Sequence, residues 1–446
     1  MVEVMPQSGG SNPYGGYLGD YVRVAHWQLT VFESCSEHAK EQKMKPKAEV
    51  HSLLKPPSIW KLAGLLILLC SSRLYAQSVD LQVVVDAKAA AARAARMHAA
   101  PDITSATATG TFITFDAPGS VNGTFPAGIS NGGDITGYYY DANFTGHGFL
   151  REKNGTLVAF DVPGAVNGTY PSGINDSGAI TGGYLDNLFL EHGFVLAVNG
   201  ALSTFDAPGS VNGTFGVAIN PAGSITGAYS DANFALHGFL RDKKGGLVTF
   251  DAPGATVFGT LPDSITPNGS ILGIYTNFFF FGFQRAASGA ISTITGPGGL
   301  GGQLDPLNAG PPISINPKGT IAGTYFQPIA GNPFGGNYQV FVLSAGGTYV
   351  TFVAANYPPC CIWSAPSGIS PNGTIVGSFN DGFDINHGFL RTSHGNLTTF
   401  DVPGAGTGNF QGTLPVGITP GGTIAGWYVD PTGLAHGFLF TPQGGE

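Results

Sequence analysis

Nine residues, Ile-x-x-x-Gly-x-Ile-x-Gly, recur seven times along this 446-residue chain, and that repetition limits what it can fold into. The copies start at Ile129, Ile174, Ile219, Ile265, Ile315, Ile369 and Ile418, and every copy keeps both glycines. The first three are 45 residues apart. Periods of about 40 to 50 residues belong to propellers and solenoids, in which each repeat is one supersecondary unit that cannot bury its apolar face alone. Composition agrees. With 69 Gly, 31 Pro and only 11% charged residues, the chain suits many short strands and tight turns better than helices.

Each unit carries four strand signals. The first is a stretch of small residues, "PAGI" or "PSGI"; a glycine turn leads to the second, "DITGYYY". A longer connection leads to the third, "HGFLRE", and a turn such as Asn154-Gly155 leads to the fourth, "TLVAFD". Four antiparallel strands in about 45 residues make one propeller blade. Ala127-Gly128, Ser172-Gly173 and Val217-Ala218 are small enough for an innermost strand, where blades crowd the axis. The last unit stops after its third strand, in "HGFLFTPQGGE", while "TGTFITFDAPG" from Thr109 is a fourth strand with no first three before it. The N-terminal strand is therefore expected to complete the C-terminal blade. That closure removes an open edge, and a solenoid would not need it. The expected fold is all-β: a seven-bladed propeller over residues 109–446.

The segment "ISNGGDITGYYY" followed by "HGFL" resembles the HAF-type extracellular repeat family of exported bacterial proteins. His147, His192, His237, His387 and His436 each precede Gly-Phe, where the family's usual triplet is His-Ala-Phe. The resemblance covers residues 109–446 and implies export and a β-rich repeat architecture. It implies no established chemistry.

Spacing indicates where function should lie. Ile to Ile across the first turn is 6 residues in every unit, and the His position to the Asp position after strand four is 14 in all six complete units. The connections at the other end vary, from 13 to 20 residues between the Asp position and the next Ile, and from 8 to 16 between the second Gly and the His position. Loops carry binding on a rigid scaffold, so the variable face is the candidate. Its departures cluster in units five and six, which nominates Asp305, Tyr325, Tyr357, Cys360, Cys361 and Trp363 as ligand-binding residues. Cys360 and Cys361 are adjacent, and in an oxidising compartment either a vicinal disulfide or two free thiols fits. The "NFFFFGF" run at 277–283 replaces the unit-four histidine with Phe281 and reads either as a more apolar core or as part of an apolar pocket or contact patch.

The repeated histidines lie on different units, too far apart to share one ion, so a structural role is expected for them. The "FDxPG" aspartates (Asp116, Asp161, Asp206, Asp251, Asp401) are expected to cap the loop that follows. Asp141, Asp186, Asp231 and Asp430, between strands two and three, form either an acidic ring for cations and basic ligands or a set of solvated turn residues. No nucleophile elbow, zinc helix, P-loop or dinucleotide fingerprint occurs. No cofactor is expected, a structural cation aside.

Ahead of the repeats, Lys45, Lys47, Lys55 and Lys61 precede the apolar run Leu62 to Cys70, and a cleavage point follows Ala76, the pattern of a secretory signal peptide over 44–76. Residues 1–43 read as an upstream segment ahead of a start at Met44, and 77–108 as an Ala-rich linker. No basic stretch follows residue 77, which disfavours nucleic acid. The resulting expectation is an exported, monomeric binding or scaffolding module, with no membrane span once mature, for a glycan, peptide or envelope protein. The alternative is a propeller glycoside hydrolase or polysaccharide lyase using paired aspartates of the variable face.

Overall fold

A computed structural model describes residues 106–443, except 257–258, 278, 295, 298–312, 330–331, 355–362 and 382–383. The expected upstream segment, signal peptide and linker, up to residue 105, lie outside the described residues. Every described element is a strand, and no helix among them is long and apolar enough to cross a membrane.

Unit one is Thr124–Ile129, Ile135–Tyr140, Gly146–Arg151 and Leu157–Phe160, paired antiparallel in chain order. Units two to five repeat this as separate four-stranded sheets. The remaining strands belong to one nine-stranded sheet, in which units six and seven touch through an Asn386–Gly412 bridge. Unit seven consists of Gly412–Ile418, Ile424–Val429 and Ala435–Pro442, and its fourth strand is Gly110–Phe115 from the other end of the repeat array. That pairing runs from Gly110 opposite Pro442 to Phe115 opposite Gly437. Pairing begins earlier than the expected residue 109: Ala106 and Thr107 run parallel to Thr398 and Thr399.

The constant residues build the core. The phenylalanine of each "HGF" is fully buried, among them Phe149, Phe194, Phe239, Phe389 and Phe438. The phenylalanine of strand four packs edge-on against it in the next unit, as Phe160 does on Phe194 and Phe400 on Phe438. Phe115, the last residue of unit seven's borrowed strand, makes the same contact with Phe149 of unit one at 6.1 Å. The innermost strands crowd together as the small residues require. A Cβ on Gly173 would lie 3.0 Å from the Val217 carbonyl, and one on Gly417 would lie 3.0 Å from Ile129, which joins unit seven to unit one.

The two glycines of the anchor serve different ends. Gly133 has φ +97° and turns the first hairpin, a conformation other residues adopt at a cost. Gly137 lies in the second strand, where a Cβ would collide with the Phe125 carbonyl on the first; Gly227 and Gly377 meet the equivalent carbonyls. Neither strand can yield without breaking the ladder. Gly137→Ala is accordingly expected to destabilise the protein by about 3 kcal/mol or more. Denaturant unfolding measures this, and wild-type stability would show that the strands separate freely.

Candidate functional site

Each of five histidines sits between two carboxylates on the variable face. His147 Nδ1 lies 3.0 Å from Asp161, and its Nε2 lies 3.7 Å from Asp141. The same arrangement joins His192, His237 and His387 to their neighbours. In unit seven the Nδ1 partner of His436 is Asp116, 320 residues away. The Nδ1–H therefore donates to the "FDxPG" aspartate, which corrects the expectation that this aspartate caps its own loop. The loop amide is met by a threonine instead: Ala117 N donates to Thr124 Oγ1. Each imidazole also stacks on an aromatic ring of strand two, such as Tyr139 at 5.2 Å. Unit four has Phe281 on Tyr275 in its place, and in unit five Gln339 bonds Tyr325.

Asp141, Asp186, Asp231 and Asp430 each turn their own loop. Asp141 Oδ1 accepts from the amides of Asn143 and Thr145 at 2.8 Å. Burial opposes ionisation of Asp430, yet the Thr432 hydroxyl, the Leu434 and Thr432 amides and His436 together pull it down to about 2. Asp381, absent from the expected set, is the unit-six counterpart. Among the described residues no cluster of three His, Cys, Asp or Glu is placed to hold a metal ion.

His387 gives this arrangement a pH dependence. Burial works against its imidazolium, but Asp401 and Asp381 outweigh burial and raise its pKa above 6.5. A raised histidine contributes stability in full below 6.5 and loses it as pH rises through the folded value. His387→Gln is expected to cost about 1 kcal/mol at pH 5 and less at pH 9. Melting curves at the two pH values read this, and an equal loss at both would refute it.

Of the nominated ligand residues, Tyr325 and Trp363 are described, and both are core side chains, 3% and 7% exposed. Asp305, Tyr357, Cys360 and Cys361 lie outside the described residues.

The structure gathers a different group at the inner rim of the same face. Trp427 of unit seven meets Phe125 of unit one edge-on at 5.4 Å, and Phe125 stacks on Tyr138 at 5.3 Å. Tyr138 meets Tyr170 of unit two at 5.5 Å, and Tyr140 packs against both tyrosines. All five rings are half-buried. Burial, with the neighbouring tyrosine hydroxyls, pushes the Tyr138 and Tyr170 phenols up. The arc ends at Glu191, the first residue of unit two's third strand. Its side chain lies across Gly183, where any Cβ would strike its Oε1. The Glu191 side chain makes no hydrogen bond or ion pair among the described residues, and burial pushes its carboxyl up to about 8. On the innermost strand of unit four, the Asp263 Oδ2 is enclosed without a hydrogen-bond partner among the described residues, and burial raises its pKa well above the usual range.

No family model matches the chain, and no curated protein matches it. Solved structures do. TolB from Acinetobacter baumannii aligns at 12% identity and TM-score 0.38, over 69% of this chain and 63% of that one. This chain thus spans under two thirds of TolB. A gluconolactonase from Xanthomonas campestris aligns at 12% identity and TM-score 0.32, over 78% of this chain and 98% of that one. The six-bladed β-propeller lectin of Aleuria aurantia aligns at 14% identity and TM-score 0.33, over 55% and 78%. At these values the likenesses leave open what this chain binds or does.

Outside the arc, exposed apolar side chains line the loops of units one to three. Phe144 is 63% and Leu188 78% exposed, and Val121 and Val166 are exposed as well. Phe144, Phe189 and Phe234 hold φ near +60°, a left-handed backbone that costs about 1 kcal/mol or more in a residue with a side chain. Among the described residues, the Lys and Arg side chains gather at one end, which also carries Asp134, Glu152, Asp176 and Asp242. Every Lys and Arg among the described residues lies toward the opposite end, in or beside the turns that hold Arg151, Lys153 and Arg391. The variable face carries carboxylates, and histidine is its one basic residue type.

The arc had a signal in the sequence. The fourth residue of strand two changes from unit to unit within an otherwise constant pattern, from Tyr138 through Gly183 and Ala228 to Trp427. Attention to loop length alone passes over it.

Proposed function

We propose that this chain is an exported seven-bladed propeller of the HAF-repeat type. In it the N-terminal strand completes the last blade, and the variable face binds a glycan, a peptide or an envelope protein. One observation carries the binding role. The repeated polar residues of that face are engaged in holding loops and strands, while the side chains that do not repeat gather at its inner rim as half-buried rings and an unpartnered carboxyl. Repetition serves the scaffold; departure from it marks the place where a ligand would be told apart.

Probing mature protein on glycan and peptide arrays tests this. Trp427→Ala is expected to weaken the bound class at least about tenfold, and Asn154→Ala, in a turn of the opposite face, to leave it unchanged. Loss with Asn154→Ala, or binding indifferent to Trp427→Ala, would move the site elsewhere. Turnover of an arrayed glycan would favour the hydrolase reading instead.

A further inference from the structure

We infer that the ligand of this rim is a basic peptide segment, with a lysine or arginine side chain laid along the aromatic arc and its cationic head at Glu191. The inference rests on the binding role proposed for this face and narrows it to one ligand chemistry.

Three independent features point the same way. The first is the arc itself. The half-buried rings of Trp427, Tyr138 and Tyr170, with Phe125 between the first two, gather π surface of the kind that attracts an ammonium or guanidinium group. The arc leads to a carboxylate that no protein cation reaches. Gly183 leaves open the space into which Glu191 turns. Half-buried and without a hydrogen-bond or ion-pair partner among the described residues, that carboxyl has its charged form disfavoured, a cost to the free protein that an incoming cation would offset.

The second feature is charge. The loops of this face hold ionised carboxylates, Asp141, Asp186 and Asp430 among them, whose own turns keep them deprotonated. Among the described residues, Lys and Arg lie toward the other end. Such segregation draws positively charged partners to the aspartate end and repels anionic ones, which weighs against uronic polysaccharides and nucleic acid. A neutral glycan would gain nothing from it.

The third feature separates a peptide from a small amine. Val121, Phe144, Val166 and Leu188 stand exposed on loops of units one and two at the same face, and Phe144 has a left-handed backbone. A lone ammonium ion would leave these side chains in water. A peptide that presents apolar residues beside its basic one would cover them.

The test uses the full repeat domain and a library of N-acetylated, C-amidated octapeptides. A central Lys, Arg or norleucine is flanked by Leu, Phe and Gly, so that norleucine keeps the lysine stem and removes the charge. Fluorescence polarisation at low and high salt reads binding. Lys or Arg peptides are expected to bind at least about tenfold more tightly than their norleucine counterparts and to weaken with salt. Glu191→Gln and Tyr170→Leu should each erase most of that difference, with circular dichroism confirming the fold. The inference fails if norleucine peptides bind equally well, or if Glu191→Gln leaves the preference intact. Binding of neutral trisaccharides that Tyr170→Leu abolishes, with no peptide bound, would overturn the basic ligand and keep the binding face. Binding of any probe that ignores Trp427, Tyr170 and Glu191 alike would overturn both.

Discussion

A chain starting at Asp116 is expected to lose cooperative folding, whereas one starting at residue 105 should melt as the full-length protein does. The shorter deletion spares every described strand. The longer one removes Gly110–Phe115 and leaves Ala435–Pro442 with an unpaired row of backbone groups. It also strips the Phe112 ring from Phe440, on which it stacks at 4.2 Å, and the Phe115 ring from Phe149. Losing two partly buried aromatics and a strand's ladder should cost on the order of 5 kcal/mol or more. That corresponds to a fall in Tm of more than about 10 °C, with aggregation through the open edge. Calorimetry and light scattering on the two truncations decide it. Equal melting would mean that unit seven is stable with three strands.

The second large effect concerns Glu191. Its carboxyl titrates near 4.5 when exposed and is pushed up to about 8 by burial in the folded protein. Above pH 4.5 the unfolded chain releases a proton that the folded chain retains. Stability therefore falls as pH rises, and the loss is complete only above about pH 8. Because the half-buried carboxyl still reaches solvent, the loss across that window is on the order of 2 kcal/mol. Glu191→Gln removes it. The variant should match wild type near pH 4 and exceed it increasingly toward pH 8, by on the order of 3–5 °C in Tm. Parallel Tm–pH curves would show that the carboxyl is solvated in the free protein. A substitution that stabilises the protein while abolishing a binding preference is the behaviour expected of a site maintained for its ligand.

Much of this molecule is legible along the chain because its determinants are local and periodic. Glycine at position 133 declares a turn, and glycine at 137 a close approach between neighbouring strands. The recurrence of "HGF" every unit announces the buried phenylalanines, and the orphan "TGTFITFD" announces the pairing with the last unit. These follow from hairpin geometry and from the need to fill an edge, which depend on residues a few positions apart or on a repeat compared with itself.

The direction of the aspartates was less accessible. "FDxPG" satisfies a local capping rule as well as it satisfies a bond to the histidine 14 residues earlier. Only the packing of strand three against strand four selects the second. The aromatic rim was hidden for a stronger reason. Trp427, Phe125, Tyr170 and Glu191 come from three units, and their meeting depends on the last unit lying against the first. Sequence alone thus determined the repeat, its strands and its closing pair. The tertiary structure decided which non-repeating side chains share one rim, because that proximity is created by packing between units, and no periodic pattern within a unit encodes it.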